Sequence, residues 1–155
     1  MQEVSVVIPN FNGMAYLDGV LSSLERQTIR NFEVILVDNG STDGSCAFVS
    51  AEYPWVHMIQ LPENYGFSRA VNEGIHAARS PYVLLLNNDT EVITKDWLEK
   101  MLGYAQQENV GSVGVKLYYG DDTIQHGGII TGKGGGFAHR YYRKPHDEKG
   151  YMHTL

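Results

Sequence analysis

Residues Phe32–Ser45 read FEVILVDNGSTDGS. Phe32–Val37 is an aliphatic, largely β-branched run interrupted only by Glu33, the pattern of a parallel strand buried on both faces. It stops at Asp38-Asn39-Gly40-Ser41-Thr42-Asp43-Gly44, a dense cluster of turn formers. The same grammar recurs on both sides. Upstream, Val4–Ile8 (VSVVI) is closed by Pro9 and runs into Asn10, Phe11, Asn12 and Gly13. Downstream, Val56–Leu61 leads into Pro62–Gly66, and Tyr82–Leu86 (YVLLL) leads into Asn87–Glu91. Helical spacing fills the intervals. Met14, Leu17, Leu21 and Leu24 mark a helix to about Arg26. Cys46, Val49 and Tyr53 share a face of a shorter one, which ends before Pro54. Phe67, Ala70, Val71, Gly74, Ile75 and Ala78 trace a third. Thr94 is placed to cap a fourth, with Trp97, Leu98, Met101, Leu102 and Ala105 inside. Val110–Tyr118 is expected to be a further strand, followed by a turn at Gly120-Asp121-Asp122.

Four β–α repeats with buried strands predict an α/β fold, a Rossmann-like, mostly parallel sheet with helices on both faces. In such sheets ligands bind beyond the carboxyl ends of the strands. The loops that matter are therefore Pro9–Gly13, Asp38–Gly44, Asn64–Gly66 and Asn87–Glu91, all rich in Asn, Asp and Gly.

Composition narrows the classes. The chain has 155 residues, 43% of them hydrophobic and 19% charged, which suits one folded domain and excludes a disordered chain. Its single cysteine, Cys46, cannot form an internal disulfide and fits a reducing, cytoplasmic compartment. Eighteen acidic residues against twelve basic give a net charge of −6, so no nucleic-acid partner is expected, because such binding needs a basic footprint. The charge is uneven: Met1–Ile130 carries −9 and Thr131–Leu155 carries +3. Glycine is skewed too, with eleven of seventeen in Gly103–Leu155. No apolar run approaches the roughly 18 residues of a membrane span, and the N-terminus lacks the marks of a signal peptide.

Each loop offers chemistry beside a plainer role. Asp38 can accept hydrogen bonds from a base N–H or a ribose hydroxyl, or can simply form the turn. On an extended backbone Asn87 and Asp89 point the same way, and their oxygens suit a hard cation such as Mg²⁺ or Mn²⁺ bridging a diphosphate. Asn64, Gly66 and Asn72 flank the third helix, whose N-terminus attracts phosphate. Arg69 in its first turn either adds a charge there or belongs to a solvated face. The six histidines show no zinc-type spacing and are expected to be structural or solvated. Cys46 is expected in the core. There is no GxGxxG, GxxxxGK[ST] or GxSxG, which removes the main support for dehydrogenase, P-loop and hydrolase readings.

Taken in order, VSVVIPNFNG, SLERQT, FEVILVDNGSTDGS, ENYGFSRAVNEGI and YVLLLNNDTEV resemble the family-2 inverting glycosyltransferases of GT-A fold, over roughly Val4–Val115. The NNDTE variant is similar to a rhamnosyltransferase-like branch serving bacterial surface polysaccharides. The resemblance implies a nucleoside-diphosphate-sugar donor, a divalent cation (Mn²⁺ or Mg²⁺) and a saccharide or lipid-linked acceptor. It implies an enzyme that is cytoplasmic or peripheral at the inner face of the membrane. Pro9, Asn10 and Phe11 would line the base pocket, and Asp38 with Asn39 would hold the base. Asn64, Gly66 and Asn72 would shape the donor pocket. Asn87, Asn88 and Asp89 would form the DxD-type element, with Asp89 as metal ligand and Asn87 in place of its first Asp.

The resemblance also implies a carboxylate base in an acidic pair after a Gly-Gly-Phe-Asp-like turn. After Asp122 the chain offers only Asp147 and Glu148, without that context. Residues 1–119 are thus expected to be the donor-binding part, and 120–155 a Gly-rich start of an acceptor-side region, truncated before the base. Thr131–Leu155 is expected to be mobile or ordered by a neighbour. A non-catalytic nucleotide-binding or interaction module is the alternative. A sugar nucleotidyltransferase ranks last, because Pro9–Gly13 lacks the Gly-rich, Arg-bearing loop it needs.

Overall fold

A computed structural model describes residues 3–131 and 135–150. The chain divides into two compact units, Met1–Glu108 and Asn109–Leu155.

The first unit is a β/α alternation. Four strands, β1 (Val4–Asn10), β2 (Phe32–Asp38), β3 (His57–Gln60) and β4 (Tyr82–Leu85), form one sheet in the order β3-β2-β1-β4. All three pairings are parallel, with Val4 opposite Phe32 and Tyr82, and Asn10 opposite Asp38. The β-branched runs form the two central strands because only there are both faces covered. Helices α1 (Met14–Glu25), α2 (Ser45–Glu52) and α4 (Trp97–Ala105) contribute Leu17, Leu21, Leu24, Val49, Leu98 and Leu102 to a core shared with Val4, Val6, Ile8, Val34 and Leu36. Helix α3 (Phe67–Ala77) covers the other face, where Ala70 packs with Ile35 and Val37. Its closest approach is at Gly74, where an added Cβ would collide with Val7 and lie 3.1 Å from Val37.

Three local expectations need correction. β4 is not buried on both faces: Val83 is 41% and Leu85 51% exposed, while Tyr82 and Leu84 are half-buried. The cause is position, since β4 is the last strand of the sheet and α3 lies over β1 and β2. Thr94 does not cap α4, which begins at Trp97 after Asp96. The work of a cap passes to Gln27, 2% exposed at the end of α1. Its Nε2 donates to the Thr94 carbonyl at 3.2 Å, and its Oε1 accepts from the Leu98 N–H at 3.2 Å. Cys46 is only partly buried, and the inward position at the start of α2 belongs to Ser45.

The second unit contains two small antiparallel pairs, β5 (Leu117–Tyr118) with β6 (Ile124–His126), and β7 (Ile129–Thr131) with β8 (Phe137–His139). The strand expected over Val110–Tyr118 is reduced to its last two residues. Gly111 and Gly114 offer a strand neither side chains to pack nor restricted backbones. The mobility expected of Thr131–Leu155 concerns in part residues 132–134 and 151–155, which lie outside those described.

Candidate functional site

The carboxyl ends of β1, β2 and β4 and the first turn of α3 enclose a cleft of about 370 Å³. Its lining is Pro9, Asn10, Phe11, Asn39, Asn64, Gly66, Phe67, Ala70, Asn87, Asn88 and Asp89. Nine of the eleven residues singled out from sequence therefore converge on one place. Asp38 and Asn72 do not belong to the lining. Phe67 and Ala70 do, and sequence reasoning assigned them only to a helix face.

The walls are held by asparagine side chains acting across loops. Asn10 is 1% exposed and uses both ends of its amide. Its Nδ2 donates to Asp38 Oδ1 at 2.9 Å and to Ser41 Oγ at 3.3 Å. Its Oδ1 accepts from Asn88 Nδ2 at 2.7 Å. One residue thus ties the β1 loop to the loops after β2 and β4. Asn39, 4% exposed, does the same on the other side. Its Nδ2 donates to Asn64 Oδ1 at 2.8 Å, and its Oδ1 accepts the Tyr65 N–H at 2.9 Å. An amide serves here because it donates and accepts at once without bringing a charge into a buried position.

Asp38 sits behind this wall. It is 2% exposed, and besides Asn10 it accepts the Ser41 N–H through Oδ2 at 2.9 Å. The thiol of Cys46 also points at it. Burial, with this hydrogen bond and the nearby charge of Asp38, pushes the thiol pKa up to about 11, so Cys46 is a protonated donor at neutral pH and a poor nucleophile. Gly40 closes the turn at φ +79°, and a Cβ there would stand 2.7 Å from the Glu63 backbone, so the loops after β2 and β3 touch main chain to main chain. Asp43 joins helix ends. Its Oδ2 accepts the Met14 N–H at 2.9 Å and its Oδ1 accepts the Ser45 N–H at 3.0 Å. Partial burial works to raise its pKa, but the bonds from Ser45 and Met14 outweigh it and hold the carboxyl below its ordinary value.

The backbone after β4 is not extended through Asp89. Asn88 and Asp89 form a turn closed by the Thr90 N–H on the Asn87 carbonyl at 3.3 Å. Asn87 and Asp89 are exposed and still line the same cleft. Their donor set is hard oxygen, one carboxylate and one amide, which fits a Mg²⁺- or Mn²⁺-type ion that takes its remaining ligands from phosphate and water. Among the described residues no group of three or more His, Cys, Asp and Glu is placed to hold a metal unaided. Arg69 lies on the solvated face. It stands 4.0 Å over the Tyr65 ring, and its Nε is 3.7 Å from Glu73. Asn72 is exposed on α3. Phe11 and Phe67, 46% and 61% exposed, present aromatic surface in the cleft.

A parallel sheet with helices on both faces and a polar cleft across its carboxyl edge agrees with the GT-A type of α/β fold that the motifs resemble. Solved structures bear this out. Staphylococcus aureus TarS 1–349 in complex with UDP matches with a TM-score of 0.64 at 25% identity, over 75% of this chain and 38% of that one. The Pyrobaculum calidifontis mannosyltransferase PcManGT matches in fold with a TM-score of 0.65 at 23% identity, over 70% of this chain and 34% of that one. The family follows from sequence: the chain belongs to glycosyl transferase family 2, whose model matches residues 5–152. Relatives include the uncharacterized protein y4gI of Sinorhizobium fredii, 35% identical over 98% of this chain, and the O-antigen biosynthesis protein RfbC of Myxococcus xanthus, 32% identical over 92%. The chain spans 17% and 12% of the lengths of those two relatives. No helix among the described residues is long and apolar enough to cross a membrane.

Proposed function

We propose that this chain binds the donor for a glycosyltransferase that moves a hexose or deoxyhexose from a nucleoside diphosphate to a hydroxyl acceptor with inversion. The observation that carries this reading is the convergence of the four strand-end loops on one cleft beside the open N-terminus of α3. In it Phe11 and Pro9 offer apolar surface to a nucleobase, and Asn10, Asn39 and Asn64 hold the loops that frame it. The first turn of α3 presents Gly66, Phe67 and Ala70, and its N–H groups have no side-chain cap, which suits a diphosphate. Asp89, with Asn87, would hold a divalent cation, whose chemistry is to offset the charge of the departing diphosphate.

Residues 1–119 are proposed as the donor-binding part and 120–155 as the beginning of an acceptor-side region. The inverting base is proposed to come from a segment other than these 155 residues, a reading supported by the much greater length of the relatives. The O-antigen role in the name of one relative supports a saccharide acceptor; a lipid-linked form of it, and action at the inner face of the membrane, belong to the same proposal.

Asp89 is the one carboxylate in the cleft lining, which favours as a second reading a non-catalytic nucleotide-binding module. One experiment tests the shared premise. UDP, dTDP or GDP at millimolar concentration with Mn²⁺ or Mg²⁺ should raise the melting temperature, and Asp89→Ala should remove the metal-dependent part. No shift with any nucleotide would overturn both readings. Transfer activity in a longer form of the protein, lost with the same variant, separates the first from the second.

A further inference from the structure

We propose that His126 and His139 form a two-histidine site for a transition-metal ion of the zinc, cobalt or nickel type, separate in chemistry from the oxygen donors of Asn87 and Asp89. The two histidines are 13 positions apart, and neither belongs to a zinc-type motif. The fold of the second unit brings them together. His126 ends β6 and His139 ends β8, opposite Ile129. Between them Gly128, at φ +106°, turns the chain and accepts the Arg140 N–H at 2.9 Å.

The result is an Nδ1···Nδ1 distance of 2.9 Å, with ring centroids 5.1 Å apart and planes at 79°. As a metal-free pair, one ring donates Nδ1–H and the other accepts. The same two nitrogens suit a chelate. Two imidazoles on one ion stand about 3.4 Å apart in a tetrahedral site and about 3.0 Å apart when adjacent in an octahedral one, given metal–nitrogen bonds of about 2.1 Å. Binding needs the rings to open by a few tenths of an ångström and the donor ring to move its proton from Nδ1 to Nε2, with no net proton released from the neutral pair. His126 is half-buried and His139 exposed, so an ion can enter and keep open positions for water or an anionic ligand. Nearby guanidinium groups are engaged elsewhere: Arg143 pairs with Asp121 at 3.1 Å, and Arg140 donates to the Tyr141 hydroxyl at 3.2 Å. Imidazole nitrogen selects zinc, cobalt or nickel over magnesium.

The test titrates the 155-residue chain with ZnSO₄ alone by calorimetry, and with CoCl₂ by visible absorption, in a weakly coordinating buffer. One ion per chain is expected. His126→Ala and His139→Ala should each weaken binding by about tenfold or more. His146→Ala, which removes the ring 3.6 Å from Asp122, should leave it unchanged. Absence of binding at about 1 mM free zinc, survival of full affinity in both variants, or loss in His146→Ala instead would overturn the proposal. Should a variant fail to fold, imidazole ¹⁵N spectra of the wild type decide: zinc must shift Nδ1 of both rings, and a shift of neither refutes the site.

Discussion

Replacing Asn10 by Ala removes one amide and disconnects three loops. The Asn10 side chain supplies Asp38 Oδ1 with a donor at 2.9 Å and gives Asn88 Nδ2 its acceptor at 2.7 Å. A hydrogen bond to a carboxylate is worth about 1.5–3 kcal/mol and one between amides about 0.5–1.5 kcal/mol. Asp38 is 2% exposed, so water cannot replace the lost donor and the loss falls at the upper end. Asn10→Ala should cost about 2–4 kcal/mol, a large part of the roughly 5–15 kcal/mol that holds a domain together. Asn10→Asp is the sharper probe because it keeps the shape and sets a second carboxylate against Asp38. Like charges at that distance raise the pKa of the introduced group in the folded state. A group with a raised folded pKa destabilises progressively as pH climbs above its unfolded value of about 3.9, so Asn10→Asp should approach wild-type stability near pH 4 and fall away from it toward pH 7. Urea unfolding followed by circular dichroism between pH 4 and 8 measures both effects. A cost below about 0.5 kcal/mol for Asn10→Ala, or parallel pH profiles for Asn10→Asp and wild type, would refute the idea that this amide is the joint of the cleft.

Three further changes probe neighbouring supports. Gly40→Ala must place a Cβ 2.7 Å from the Glu63 backbone at φ +79°, and should lower stability by about 1–3 kcal/mol in chemical unfolding and weaken any nucleotide-induced thermal shift. Asp43→Ala strips the Met14 and Ser45 N–H groups of their acceptor and should cost about 1 kcal/mol at neutral pH. Because the folded-state pKa of Asp43 is depressed, its contribution is full above about pH 4 and is lost as pH drops through the lowered value, so wild type and variant should converge in acid. Gln27→Met leaves the Leu98 N–H without its acceptor and should cost about 1–3 kcal/mol in a thermal melt.

The central strands were legible because burial on both faces leaves a mark in one dimension, an apolar run without alternation. The cleft was legible because the carboxyl edge of such a sheet is where its loops must gather. What escaped depended on partners distant in sequence. Tyr82–Leu85 is as apolar as Val34–Val37, and only the strand order reveals that, among the described residues, it stands at the edge of the sheet. Asn72, which the resemblance assigns to the donor pocket, is near the donor loops in sequence but outside the cleft lining. It lies two residues past the inward-facing Ala70, about 200° around the helix, and so points outward. Gln27 gave no local sign of its role, since the Leu98 N–H it satisfies is 71 positions away. The His126–His139 contact depends on how two short hairpins align, and no spacing rule encodes that.

The strand order also sets a timetable. β1 is made before the other three strands of its sheet, yet it stands inside that sheet, and its outer neighbour β4 begins 78 residues later, with Val4 opposite Tyr82. At roughly 5–20 residues per second, a ribosome leaves that edge of β1 open for about 4–16 seconds. During this interval a nascent chain holds Val4, Val6 and Val7 beside an unfilled lane of backbone donors and acceptors. β1 and β2, only 28 positions apart, can meet first and shelter one flank, with α1 folding over them. The other flank depends on the arrival of YVLL, so a translational pause between the synthesis of β2 and of β4 should expose the protein to misassembly more than a pause after β4 has joined the sheet.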